Sequence, residues 1–331
     1  MIARTYVNGV IAAKEKYFLK DKLLRLCETD AENALRALKE SGFGRAAAAA
    51  DEANCSAETL IAAEEAETNA FIREYAASDA EKEFFLSPLD CHNVKAYFKA
   101  SYTGADVSKM LADEGILPLS RISESFSKND FSSLPVYLQS ALDNAREICK
   151  NGVAGKGAEV GAAFEKALFS RLADICKKNG ALKQMLAEKA DFTNLVTALR
   201  AKNFKEAKAQ FVCGGTLRAE EYAFCFAQNA DRAKGSAAGS SGSGRAGERL
   251  REIVSLYERA KTTGSYAEAE KRLAQTELNF FERKKYELTG SEPFMYYVLR
   301  RKAECANVRI VMVCLNAGMT QSEIKKRLRG V

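Results

Sequence analysis

Proline is scarce in this sequence. Only 4 of the 331 residues are proline, whereas alanine, leucine, glutamate, lysine and arginine are abundant. Because proline removes a backbone donor and clashes with the preceding helical turn, its scarcity favours long uninterrupted helices. The composition therefore predicts an all-α protein.

Long apolar runs are also missing. No stretch approaches the roughly 20 apolar residues that a membrane-spanning helix needs. Near the N-terminus, Lys14, Glu15 and Lys16 interrupt any pattern typical of a signal peptide. We therefore expect a soluble, cytosolic protein.

The cysteines form no recognisable framework. There are nine of them, an odd number, and they are scattered without a CxxC pair. This distribution fits neither a disulfide framework nor a zinc site. We expect reduced cysteines within the protein core.

Residues for catalysis are few. The single histidine, His92, excludes any site that needs two imidazoles, and it makes a Ser-His-Asp triad improbable. Beside Asp90 and Asn93, His92 is either a general base or an occupant of a variable position. The nearest approach to a phosphate loop, residues 152–157, lacks both the Walker A spacing and its Ser or Thr. We expect no enzyme activity, no metal and no cofactor.

Adjacent carboxylates occur as Glu64/Glu65 and Glu220/Glu221. On a helix, neighbouring side chains point about 100° apart and cannot share a proton-transfer task. The sequence predicts that both pairs lie on solvated helix faces.

An internal repeat is the most informative pattern present. An acid, two variable residues, an asparagine and an aliphatic residue recur three times, at near-equal intervals. On a helix the acid and the asparagine share one face. The three copies are Asp90–Val94, Asp191–Leu195 and Glu304–Val308.

The repeats predict three similar helical domains, at 1–126, 127–232 and 233–331. A Gly/Ser-rich stretch at 234–245 has the composition of a flexible surface loop near the last boundary.

Local signals predict where the motif helices begin. Ser87 followed by Pro88 is typical of an N-cap and a first-turn proline, so we expect the first motif to open its helix. The third motif is predicted within a helix from Pro293 to Asn316 that Gly318 ends. Its apolar stripe, which predicts a core face, consists of Met295, Leu299, Ala303, Ala306, Ile310 and Val313. Capping boxes are predicted at Thr29/Glu32, Ser78/Glu81, Ser265/Glu268 and Thr320/Glu323.

The net charge of +6 weakly favours an anionic partner. Residues 325–329 concentrate four basic side chains, which either complement the dipole of a terminal helix or bind an anionic partner. Because no aromatic residues are interleaved, we expect no nucleic-acid binding here.

The segment 292–310 resembles the signature of the C-type subunit of the rotary V/A-type ATPases (ATP synthases), the counterpart of the eukaryotic V-ATPase d-type subunit. Agreement with that family extends along the chain. The residues that match are Tyr6–Asn8, Asp90, Asn93, Leu117–Leu119, Asp191, Asn194, Gly214, Gly215, Glu292, Pro293, Tyr297, Lys302, Glu304, Asn307 and Arg309.

The resemblance implies three helical domains in a funnel with pseudo-threefold symmetry. It also implies a non-catalytic central-stalk component that transmits torque between the membrane proteolipid ring and the shaft of D and F subunits, for proton or sodium transport. Such a protein would be cytoplasmic, with only indirect or peripheral membrane contact through the complex. The alternative is a generic helical-repeat scaffold.

We expect the motif residues to orient helices and to bind no ligand. These residues are Asp90, Asn93, Asp191, Asn194, Glu304, Asn307 and Arg309.

Overall fold

The computed structural model describes residues 3–19, 21–50, 55–152, 154–226, 245–264, 267–288 and 290–330. Helices account for 77% of the structure, and the described residues contain no strand, which confirms the predicted all-α class. Of the predicted Gly/Ser-rich loop, residues 234–244 lie outside the described residues. So does Ser265 of one predicted capping box.

The helices follow one another with short connections. In chain order they are α1 (Arg4–Lys14), α2 (Asp21–Leu26), α3 (Ala31–Glu40), α4 (Arg45–Ala50), α5 (Ala57–Tyr75), α6 (Asp79–Thr103), α7 (Leu119–Lys128), α8 (Val136–Cys149), α9 (Gly157–Ile175), α10 (Gly180–Arg200), α11 (Phe204–Gln210), α12 (Arg245–Thr263), α13 (Ala267–Glu282), α14 (Glu292–Asn316) and α15 (Gln321–Arg327). Short 3-10 helices lie at Glu15–Tyr17, Val107–Met110, Cys176–Lys178 and Ala219–Phe226.

The chain forms two compact units, and the first is assembled from both ends of the sequence. Unit 1 contains Met1–Ser78 and Ala267–Val331. Its central element is α14, which packs against α1, α2, α3, α5, α13 and α15. The shared core includes Leu19, Leu23, Leu38, Leu60, Ile61, Val308, Val311 and Ile324.

An aromatic cluster extends the core of unit 1. The ring of Tyr297 lies 4.6 Å from that of Phe71 and 5.6 Å from that of Phe18, measured between centroids. Phe71 also stacks on Phe294 at 5.7 Å. These separations fall in the range where aromatic pairs add to the free energy of area burial. They join α14 to α5 and to the segment after α1.

Unit 2 contains Asp79–Tyr266 and is continuous in sequence. Helix α9 packs against α6, α8, α10 and α11, while α10 also contacts α12. Phe98 of α6 and Phe164 of α9 meet in this core, with ring centroids 6.1 Å apart. The predicted boundaries of three repeats, 1–126, 127–232 and 233–331, stay a prediction.

The predicted start of the first motif helix is wrong. Helix α6 begins at Asp79, so Pro88 lies inside it and Ser87 is not its N-cap. Proline normally breaks a helix, because it removes one backbone hydrogen bond. Here Phe84, Phe85 and Leu86, which precede it, are all buried. Tertiary packing of this turn therefore maintains the helix through the proline.

The predicted helix around the third motif is confirmed, because α14 spans Glu292–Asn316 and Gly318 follows with φ +69°. Its apolar stripe is correct at Met295 and Leu299 but wrong at Val313, which is 61% exposed. Beyond residue 300 the buried face carries Arg301 and Glu304 together with apolar residues such as Val308 and Val311. The predicted stripe followed apolar residues only. Because polar side chains occupy part of the core face, the prediction departs from that face.

The capping predictions have mixed outcomes. At the start of α15, Thr320 and Glu323 form the predicted capping box. At the start of α3 the prediction of Thr29 is wrong, since the carboxylate of Asp30 accepts from the amide of Asn33 at 2.8 Å. Two adjacent capping-type residues were present, and the second one adopts the extended backbone that an N-cap requires.

Candidate functional site

The second motif, on α10, fixes the loop that follows α11. The Asn194 amide nitrogen donates to the carbonyl oxygen of Val212 at 3.1 Å, and the Val212 amide donates to Asn194 Oδ1 at 2.8 Å. Asp191 accepts from the backbone amides of Thr216 and Leu217, both at 3.1 Å. Asp191 and Asn194 are both buried. Two side chains one helical turn apart therefore hold the loop through its backbone.

Further groups surround the buried Asp191 carboxylate. Arg249 of α12 donates to Asp191 Oδ2 at 3.3 Å, and the Tyr222 hydroxyl donates to the backbone oxygen of Asp191 at 3.0 Å. Burial raises the pKa of Asp191, while the amides of Leu217 and Thr216 and the charge of Arg249 oppose that rise. Tyr222 and Arg249 were not predicted from the sequence, because neither residue belongs to a repeated motif.

The first motif, on α6, makes a closely similar set of contacts. Asn93 accepts from the Ala112 amide at 2.8 Å and donates to the Asp113 carbonyl at 3.1 Å. Asp90 accepts from the amides of Ile116 at 3.1 Å and Leu117 at 3.0 Å. In each copy the asparagine therefore holds the beginning of a loop, and the acid holds two consecutive amides a few residues later.

Glycine precedes the two amides in both loops. A Cβ atom on Gly115 would overlap Asp90 Oδ1, and one on Gly215 would overlap Asp191 Oδ1. Glycine is required because the carboxylate approaches the loop backbone closely. The shared pattern of glycine, one residue and leucine, at 115–117 and 215–217, was available in the sequence as a signal for these loops.

The third motif, on α14, is completed by both ends of the chain. Asn307 donates to the carbonyl of Arg329 at 2.7 Å and accepts from the amide of the same residue at 2.8 Å. Glu304 accepts from the amide of Leu19 at 2.6 Å. The asparagine therefore holds a C-terminal segment, as in the other copies, but the acid holds an N-terminal one.

A buried charged cluster surrounds Glu304. Arg301 donates to Glu304 Oε2 at 2.9 Å and also to Glu64, and Glu64 accepts from the amide of Gly44 at 2.8 Å. All three charged side chains are at most 7% exposed. Two carboxylates share one guanidinium, so the backbone amides of Leu19 and Gly44 supply the remaining hydrogen bonds that buried charges need.

Burial and the neighbouring charges act in opposite directions on the pKa values of Glu304 and Arg301. Burial raises the pKa of Glu304, and the positive charge of Arg301 opposes that rise. For Arg301, burial lowers the pKa, but the charges of Glu64 and Glu304 outweigh it, so the net direction is upward. The cluster therefore contains a guanidinium that stays charged between two acids.

The prediction that Glu64 is solvated is wrong. Its neighbour Glu65 is 41% exposed at the side chain and pairs with Arg309 at 3.3 Å. The 100° between neighbouring helical positions turned one acid inward and the other outward. In the second pair, Glu220 is 65% exposed, as predicted, whereas Glu221 is only 20% exposed.

Arg309 lies apart from the loop contacts. It donates to both carboxylate oxygens of Glu58, at 2.6 and 3.1 Å, and so links α14 to α5. The hydrogen bond from Arg309 lowers the pKa of Glu58, although burial opposes it. Arg309 therefore contributes a half-exposed ion pair.

One comparison with known proteins bears on this arrangement. The model of the family described as ATP synthase (C/AC39) subunit matches residues 7–327, which include all three motifs. The chain belongs to this family. A comparison with curated proteins gives no match. Family membership confirms the V/A-type ATPase resemblance, and it leaves the alternative of a scaffold unconnected with ATPases without support.

His92 and the cysteines of this AC39-family chain lie outside the buried motif contacts. His92 is exposed, with Nε2 2.8 Å from the carbonyl oxygen of Met110. All nine cysteines are free, and all except Cys213 are buried. Burial raises the pKa of the Cys91 and Cys176 thiols to about 12, which leaves them unreactive near neutral pH.

Two kinds of feature are absent from the described residues of this AC39-family chain. No group of three or more His, Cys, Asp or Glu side chains there is arranged to hold a metal ion. No helix among the same residues combines the length and the apolar character that crossing a membrane requires.

Proposed function

We propose that this AC39-family chain is the central-stalk component of a rotary V/A-type ATPase. In this role it joins the proteolipid ring in the membrane to the shaft of D and F subunits, and it transmits torque for proton or sodium transport. The main support is that the family match covers nearly the whole chain and contains all three copies of the motif.

The motif contacts support a mechanical role. In each copy a buried acid and a buried asparagine attach a distant segment to a helix by its backbone. Close-packed helices with fixed loops resist compression, and a torque-transmitting element needs that stiffness. The proposal includes the predicted arrangement of three similar domains in a funnel, which would present related surfaces to a ring of identical subunits.

We also propose that this protein catalyses no reaction and needs no cofactor. The motif acids and asparagines bond to backbone amides and carbonyls, so their hydrogen-bonding capacity serves the fold. Its location would be the cytoplasmic side of the membrane, and its attachment there would be through the other ATPase subunits.

Co-expression with the proteolipid ring and the D and F subunits tests this proposal. We expect the ring and the shaft to co-purify with each other only when this chain is present, and we expect the purified chain alone to hydrolyse no ATP. Binding to only one of the two partners would refute the coupling role. Co-purification of ring and shaft without this chain would refute it as well.

A further inference from the structure

The motif contacts use the backbone of Arg329 in the C-terminal basic cluster, but not the side chains of Lys326 and Arg327. We define the C-terminal basic patch as Lys271, Lys326 and Arg327. Helix α15 is fixed to the core of unit 1 by Ile324 and by Leu328 just after it, which are 0% and 1% exposed. With these apolar residues turned inward, the side chains of Lys326 and Arg327 are exposed.

Lys271 reaches the same place from another helix. Its ammonium group donates to the carbonyl oxygen of Lys326 at 3.0 Å, although the two residues are far apart in sequence. A cation at the carbonyl end of a helix complements the helix dipole. This explains the position of Lys271, but the contact is to a carbonyl, so its positive charge is not neutralised by an acid.

Lys326 and Arg327 lie in the last turn of α15, where their charges also complement the helix dipole. Among the described residues, no carboxylate forms an ion pair with either side chain, and neither side chain donates to a helix-terminal carbonyl. Nearby Lys325 differs, because it pairs with Glu28 at 3.2 Å. The acid within α15, Glu323, accepts from the amide and the hydroxyl of Thr320. The charges of Arg327 and Lys326 also help to lower the pKa of Glu323, but within the described part of the chain none of the three neighbouring cations forms a direct ion pair with an acid.

We propose that the C-terminal basic patch is a docking surface for an acidic polypeptide segment of a neighbouring subunit, and that it acts mainly on the rate of association. The identity of the partner as an ATPase component rests on the proposed function. Complementary charges at the edge of an interface steer partners together and select among them more than they tighten the final complex. Arginine also presents a planar donor pair that matches a carboxylate.

An anionic lipid surface fits the patch less well. Each basic side chain near such a surface strengthens binding by only about fivefold, so three give roughly a hundredfold, and lipid-binding clusters usually contain about 4 to 8 basic residues. Membrane-surface helices also insert an apolar face. Here Ile324 and Leu328 are already buried in unit 1.

The test compares two double variants of the full chain. The patch variant is Lys326→Ala with Arg327→Ala. The control is Lys22→Ala with Arg25→Ala, which removes the same charge from exposed positions of α2 in the same unit. Because all four side chains are exposed, we expect both variants to melt at the same temperature as the parent chain.

The first measurement is the rate of association with an ATPase complex depleted of this protein, at about 50 mM and about 200 mM salt. We expect the patch variant to associate roughly tenfold more slowly at low salt and to lose most of its salt dependence. The control should remain within about twofold of the parent. Equal rates for the two variants would overturn the proposal.

The second measurement needs no other ATPase component. Polyglutamate and phosphatidylserine-containing vesicles serve as probes of the isolated chain. Weaker polyglutamate binding by the patch variant alone supports the proposal, whereas patch-dependent binding to vesicles without binding to polyglutamate overturns it. If the parent chain fails to enter the depleted complex, the proposed function fails, and the polyglutamate result still decides whether the patch binds acidic polypeptides.

Discussion

Replacing Asn194 by leucine should destabilise unit 2 severely, because this side chain holds both backbone groups of one loop residue. Leucine has nearly the same volume but no hydrogen-bonding groups, so the Val212 amide and carbonyl would lose partners at 2.8 and 3.1 Å. Asn194 is 3% exposed and Val212 is 6% exposed, so water cannot easily replace the amide. Each stranded backbone group costs about 1 to 3 kcal/mol, so the two together give a loss of about 2 to 6 kcal/mol in the free energy of unfolding.

Urea denaturation measures this loss, and hydrogen exchange of the Val212 amide locates it. The control is Thr197→Val on the same helix, which removes a hydroxyl bond to the Thr193 carbonyl. Because no buried backbone amide loses its partner, this control should cost less than about 1 kcal/mol. A similarly small loss for Asn194→Leu, or an equally protected Val212 amide, would refute the reasoning.

Three further changes probe the carboxylates of the motifs. Gly215→Ala should cost about 1 to 3 kcal/mol in a thermal melt, since the new methyl group overlaps Asp191; unchanged melting would show that the loop can shift freely. Arg301→Met should cost about 3 to 5 kcal/mol by urea denaturation, because it leaves Glu64 and Glu304 buried without their cation, and Arg301→Lys should cost less. Burial raises the folded-state pKa of Glu304, so the native state keeps that proton to higher pH than the unfolded chain. The stability of the parent relative to Glu304→Gln is therefore expected to fall as the pH rises above the unfolded pKa of about 4.3; a rise would contradict the direction of the shift.

The sequence predicted the helical class and the three motifs, but not what the motif side chains bind. Helical class follows from local properties, such as scarce proline and capping residues, which act within a few positions. The partners of Asp191 and Asn194 lie in a loop beyond the next helix, and no local preference specifies that pairing. The only available signal was the repeated glycine directly before the two acid-bound amides, with leucine carrying the second of them.

The least predictable feature is the closure of unit 1. The amide of Leu19 reaches Glu304, although the two residues are near opposite ends of the chain. A buried ion pair such as Glu64 with Arg301 is equally hard to predict, because charged residues usually lie at the surface. The prediction for the start of helix α6 failed for a related reason: the packing of Phe84, Phe85 and Leu86 outweighed the local effect of Pro88.

Reconstitution of the rotary complex with and without this chain is the most direct test of the coupling role. The quantity to measure is the number of ions transported for each ATP hydrolysed by the complex. Without the chain, we predict that hydrolysis by the catalytic part continues while ion transport stops, and that adding the chain restores transport. Ion transport at an unchanged ratio in its absence would contradict a role in joining the shaft to the ring.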